Sequence, residues 1–173
     1  MKKPWSSFCL LCIATSVTLP SVWAQTQRNW TGGNGTGFNW NDSANWQNSN
    51  VPVSPTYWAN FQSGTTATIN VAVGTTTNRM NVEAGADIEL VLASDTEAPE
   101  TAAMTFDALF RIGQTTNGTG ASFSLSGDGI LTGTSFQVGS TTNSSGNIFT
   151  VGGNARIDFA TIDSNSVVGR KCI

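Results

Sequence analysis

The chain has 173 residues, no histidine, and eleven acidic against eight basic side chains, a formal net charge of −3. The lack of histidine excludes Ser-His-Asp triads, Cys-His pairs and histidine-bound zinc, and the acidic balance argues against nucleic acid, which needs a basic surface. Only 11% of residues are charged, and Thr, Ser, Asn and Gly fill the polar positions, a composition poor for helices and good for short strands joined by tight turns.

The first element is a leader. Lys2 and Lys3 precede the apolar run FCLLCIATSVTL, Pro20 breaks it, and Val22-Trp23-Ala24 supplies the small residues a signal peptidase reads. This is the pattern of a secretory signal over residues 1–24, cut after Ala24. The expected mature part has 173 − 24 = 149 residues, enough for one domain with its own core. Its charge is six basic minus eleven acidic, or −5. No later run approaches the ~20 apolar residues of a membrane helix. The mature chain is expected to be exported, extracellular or on the outer cell surface, with no membrane span. Cys9 and Cys12 leave with the leader, so Cys172 is the single mature thiol.

Residues 25–64 carry Trp30, Trp40, Trp46 and Trp58, two of them within NWNDSANWQNSNVP (39–52). Bulky aromatics can plug the open end of a stack of strands, covering its apolar ladder and its unpaired edge. The same four residues are the candidate carbohydrate-binding set, if their indole faces are exposed for sugar stacking. The plug is the preferred expectation.

Short alternating segments follow. Ile69, Val71 and Val73 share one face; Ile88, Leu90 and Leu92 share another, with Glu89 outward. Such runs, bounded by Gly, Asn or Ser, are the strand signature. The strongest helical candidate, Ala98 to Ala108, is weakened by Pro99 and mixed polarity. Seven of the eleven acidic residues, Glu83, Asp87, Glu89, Asp95, Glu97, Glu100 and Asp107, fall in this region. ASDTEAPETAA reads as a solvated loop, since no spacing in it matches a calcium loop.

The last region repeats. FRIGQTTNGTGASFSLSGDGIL from Phe110 aligns without a gap to FQVGSTTNSSGNIFTVGGNARI from Phe136, at an offset of 26. Phe110, Gly113, Phe123 and Gly127 recur as Phe136, Gly139, Phe149 and Gly153, within eight identities over twenty-two positions. A period of this size implies stacked units, placing Phe110 over Phe136 and Phe123 over Phe149. In the same alignment Asp128 faces Asn154, Arg111 faces Gln137 and Arg156 faces Ile130, so no charged ladder results. The expected fold is all-β: a right-handed parallel β-solenoid (β-helix), with a Trp-rich N-terminal cap over 25–64 and repeats over 65–173 that stop short at the C-terminus. About six coils at ~4.8 Å each would make a rod of roughly 30 Å. A β-sandwich of hairpins is the rival.

The run NWTGGNGTGFNWNDSANWQNSNVPVSPTYWANF, with Trp30, Trp40, Asn45, Trp46, Pro52 and Phe61 in its pattern, and the IG…G…F-x-L-x-G unit together resemble bacterial secreted proteins with autotransporter-type β-strand repeats. In that family a Trp-rich cap precedes β-solenoid repeats, and related chains often carry a C-terminal sorting tail. The resemblance implies an exported structural or adhesive protein of a bacterial surface or extracellular matrix. No catalysis, metal or cofactor is expected. The alternatives are a carbohydrate-binding module and, third, a polysaccharide-cleaving β-helix with a carboxylate pair. Expected partners are cell-surface or matrix polysaccharide, and a second copy: SNSVVGRKCI offers no capping aromatic, so self-association through the C-terminal edge is expected, with Cys172 able to lock a dimer.

Overall fold

The computed structural model describes residues 25–113, 120–139 and 146–162. Among these residues there is no α-helix, and the strands form two sheets. Numbered in chain order, β1 (Thr26–Asn29), β3 (Tyr57–Phe61), β5 (Thr75–Val82), β7 (Ala102–Ile112), β9 (Ile130–Val138) and β11 (Arg156–Ile162) lie side by side in a six-stranded sheet. The second sheet holds β2 (Gly35–Asn39), β4 (Thr66–Val71), β6 (Asp87–Leu92), β8 (Ser122–Gly127) and β10 (Ile148–Val151). Every pairing between these strands is parallel. The chain therefore alternates between the sheets, and each strand pairs with the one two places on. A β-sandwich of hairpins would need antiparallel neighbours, so that rival reading is corrected.

Alternation dictates the core. Ile69 and Val71, Ile88, Leu90 and Leu92, and Phe123 and Leu125 are all buried, while Glu89 lies outward. From the other sheet Met80, Val82, Phe106, Phe110, Ile112, Leu131 and Phe136 meet them. Phe110 touches Phe123 edge-on across the core at 4.8 Å. Along the stack Phe110 pairs in register with Phe136, and Phe123 with Phe149. The aligned pairs Arg111–Gln137 and Ile130–Arg156 are register partners too, and Asn154 Nδ2 donates to Asp128 Oδ1 at 2.9 Å.

Corners are made where a side chain has no room. Gly127 has φ +88°, and a Cβ there would strike the Leu92 carbonyl; Gly153, one step along, has φ +63°. Only glycine combines that dihedral with that closeness at little cost.

The Ala98–Ala108 segment is a correction. Its first residues form the exposed turn between β6 and β7, where Asp95 Oδ1 accepts from the Glu97 and Ala98 amides. From Ala102 the chain is strand, with Met104 and Phe106 buried and β5 and β9 paired on either side. Pairing on two edges overrides the helix propensity of its alanines, the highest of any residue but small per position. The expected leader (1–24), the repeat residues Asn117 and Asn143, and Cys172 lie outside the described residues.

Candidate functional site

The tryptophan segment is built into both sheets. Trp30 follows β1 and Trp40 follows β2, continuing the core-facing parity of Arg28 and Phe38. Between β2 and β3 the chain makes two short 3₁₀ turns, Ser43–Asn45 and Gln47–Ser49, the first capped by Asp42, whose carboxylate accepts from the Ala44 amide at 3.0 Å. These turns carry Trp46 back over the first strand, where it bridges Trp30. Asn45 clamps the fold-back: its carbonyl accepts from the Thr31 and Gly32 amides, and its Nδ2 donates to the Asn39 carbonyl at 3.1 Å.

The result is a closed aromatic cluster. Trp40 lies 4.8 Å from Trp46, Trp46 lies 5.1 Å from Trp30, and all three pack on Phe61 at 5.7–6.2 Å. Trp30 Nε1 donates to the Gly33 carbonyl at 2.9 Å, whereas Trp40 Nε1 is buried without a partner among the described residues. Of the four candidate sugar-stacking residues, Trp30, Trp40 and Trp46 are buried, their faces covered by one another and by Phe61. A covered face cannot stack on a sugar in this conformation. Trp58 is partly exposed, beside Gln27 in register.

A polar ladder runs along the six-stranded sheet, at positions alternating with the core-facing ones. Asn29, Asn60 and Asn81 are register partners. Asn60 Nδ2 donates to Asn29 Oδ1 at 3.0 Å and to Glu83 Oε1 at 2.8 Å, and Asn81 Nδ2 donates to Asn60 Oδ1 at 3.0 Å. Arg111 and Gln137 continue the row, with Arg111 Nε donating to Gln137 Oε1 at 2.8 Å. The outer face of the other sheet is tied by Glu89, which accepts from Thr68 at 3.2 Å and Ser126 at 2.6 Å. These acidic side chains serve as hydrogen-bond acceptors within the sheets. Sequence reading paired Arg111 with Gln137 but missed the asparagine steps, which are unequal, 31 and then 21 residues, so that no fixed offset reveals them.

A surface groove of about 670 Å³ opens beside β2, lined by Asn39, Asn41, Asp42 and Asn70 above Val91 and Ala93. Its side chains can donate to and accept from hydroxyl groups. Among the described residues no group of three His, Cys, Asp or Glu side chains is placed to hold a metal, and no helix is long and apolar enough to cross a membrane. Comparison with family models, with curated proteins and with solved structures gives no match.

Proposed function

We propose that the chain is an exported, right-handed parallel β-solenoid with a tryptophan plug at its first coil, acting as a structural or adhesive component of a bacterial surface or extracellular matrix. The observation that carries this reading is the register: strands alternate between two parallel sheets, and like positions of the last coils pair at a constant spacing, Phe110 to Phe136 and Phe123 to Phe149. Stacked units of this kind give a long, regular outer surface suited to extended contacts. Here that surface is dressed with Thr, Ser, Asn and Glu side chains, several of them bonded to one another. The test is to express the full chain in a bacterial host and fractionate it. A mature N-terminus at Gln25 and protein outside the inner membrane are expected, with the purified protein sedimenting with cell envelopes or matrix polysaccharide. Protein retained in the cytoplasm with residues 1–24 intact would sink the reading.

A second reading, a carbohydrate-binding module, draws on the Asn39–Asn41–Asp42–Asn70 groove and the partly exposed Trp58. A glycan array with Asn70→Ala and Trp58→Ala separates the two readings: loss of a glycan signal in folded variants favours the module.

A further inference from the structure

A row of side chains crosses the outer face of the six-stranded sheet, one from each strand. Gln27 and Trp58 are register partners in β1 and β3, and Arg79, Leu109, Ser135 and Thr161 are register partners through β5, β7, β9 and β11. The two runs join, because Trp58 and Arg79 immediately precede Ala59 and Met80, which are register partners and buried. Alternation turns Trp58 and Arg79 away from the core, and strand spacing sets neighbours in the row ~4.8 Å apart. Two of these groups do nothing for the fold. Trp58 is partly exposed, stands outside the apolar core and touches no other aromatic ring among the described residues, whereas Trp30, Trp40 and Trp46 are all buried. Arg79 is exposed and makes no ion pair or side-chain hydrogen bond among the described residues, although Asp107 lies on the neighbouring strand. The other described arginines are engaged: Arg28 is buried with its guanidinium 4.2 Å from the Tyr57 ring centre, Arg111 bonds Gln137, and Arg156 pairs with Glu100. Arg79 is thus the one free guanidinium among the described residues, and it stands beside an outward indole. A lone surface cation is ordinarily just solvated, but a large apolar ring left outside the core next to it is not the ordinary case.

We propose that Trp58, Arg79 and Gln27 form a binding site for a polysaccharide that carries carboxylate groups, its chain lying along the row. A sugar ring lays its apolar C–H face on the indole of Trp58. The carboxylate of that sugar or its neighbour takes the Arg79 guanidinium through two parallel N–H···O bonds, the geometry that arginine matches and lysine does not. Gln27 commits its amide nitrogen to Asn29, which leaves its oxygen to accept from a sugar hydroxyl. Beyond Arg79 the row continues with the partly exposed Leu109 and the hydroxyl side chains of Ser135 and Thr161, so later sugars meet apolar and polar groups in turn. Charge decides both the ligand and the place. Residues 25–173 hold six basic and eleven acidic side chains, so a polyanion is repelled by most of this surface and is received only where a guanidinium is unpaired. The proposal rests on the carbohydrate-binding reading and adds to it the class of sugar.

The experiment is affinity electrophoresis of residues 25–173, which hold every described strand, in gels containing alginate, polygalacturonate or hyaluronate. Each polymer is run beside its carboxyl-reduced form, which keeps the linkages and loses the charge. Retardation by at least one acidic polymer is expected, stronger by about tenfold or more than by its reduced form, the worth of a charge-assisted hydrogen bond, and weakening as salt is added. Arg79→Gln should bring the acidic polymer down to the level of the reduced one, and Arg79→Lys should restore only part of the difference. Trp58→Ala should weaken binding of both forms. Arg156→Gln, which removes an exposed cation on β11, should change neither. Each variant is checked for the parent far-ultraviolet spectrum. Equal binding of acidic and reduced polymers, or an Arg79→Gln protein that binds as the parent does, would overturn the proposal and leave the carbohydrate-binding reading standing. No retardation by any of the six polymers would overturn both.

Discussion

The indole Nε1 of Trp46 donates to the carbonyl oxygen of Trp40 at 2.7 Å, and both rings are buried, at 2% and 0% exposure. The bond joins the fold-back to the end of β2 inside the aromatic cluster. Trp40→Ala and Trp46→Ala are each expected to cost about 3–5 kcal/mol, the range for truncating a large buried aromatic. Trp46→Phe should cost about 1 kcal/mol more than Trp40→Phe, because it breaks a buried hydrogen bond while the Trp40 Nε1 has no partner to lose among the described residues. Denaturant melts of the four variants check this; equal losses for the two Phe variants would contradict it.

Glycine corners give a sharper comparison. Gly127 (φ +88°) and Gly74 (φ +81°) share a left-handed backbone, but a Cβ at Gly127 meets the Leu92 backbone, whereas one at Gly74 meets nothing within 4 Å. Gly74→Ala should cost about 1 kcal/mol of conformational strain, and Gly127→Ala clearly more. Thermal melts in which the two fall equally would show that the corner can relax.

The asparagine ladder is expected to contribute through satisfied hydrogen bonds rather than through buried apolar surface. Asn60 is 1% exposed and bonds Asn29, Asn81 and Glu83. Asn60→Ala leaves the buried Asn81 amide without its acceptor, for a loss of about 1–3 kcal/mol. In the Asn60→Ala background, a further Asn81→Ala change should therefore cost less than it does in the parent. A double-mutant cycle by denaturant unfolding measures that coupling, and additive losses would mean that the two amides act independently.

The far-ultraviolet spectrum should be β-type, without the paired helix minima near ~208 and ~222 nm, because the described residues hold eleven strands and no α-helix. A helix-dominated spectrum of residues 25–173 would contradict the fold.

What was legible in the sequence follows from step length. Phe110 over Phe136 could be read directly, because the last steps are uniform: Phe110 to Phe136, Phe123 to Phe149 and Leu131 to Ile157 share the spacing of the bonded pairs Arg111–Gln137 and Asp128–Asn154, 26 residues. Asn29 over Asn60 over Asn81 could not, because 31 and then 21 residues separate them. The step from Ile88 to Phe123 is longer than any of these, since it contains the acidic turn. The burial of Trp40 was one of two open readings. Asparagine-rich surroundings suit an exposed indole as well as a buried one, and the decision lies with Asn45, whose hydrogen bonds to Thr31, Gly32 and Asn39 fold Trp46 onto it. The strand in Ala102–Ala108 was masked by alanines, which declare neither periodicity. Its partners are remote in the chain, Thr76 on one side of Thr105 and Thr132 on the other.

The uniform step has a genetic consequence. Where like positions recur every 26 residues in both sheets, the unit is interchangeable with its neighbour. An in-frame deletion of 112–137 would bring Val138 to the place of Ile112 and Phe149 to that of Phe123, removing one strand from each sheet while leaving every remaining pair in phase. Unequal crossing-over within this part of the gene can therefore shorten or lengthen the protein in whole units. A 26-residue deletion among the earlier strands, whose steps are 31 and then 21 residues, would instead leave the paired strands out of phase.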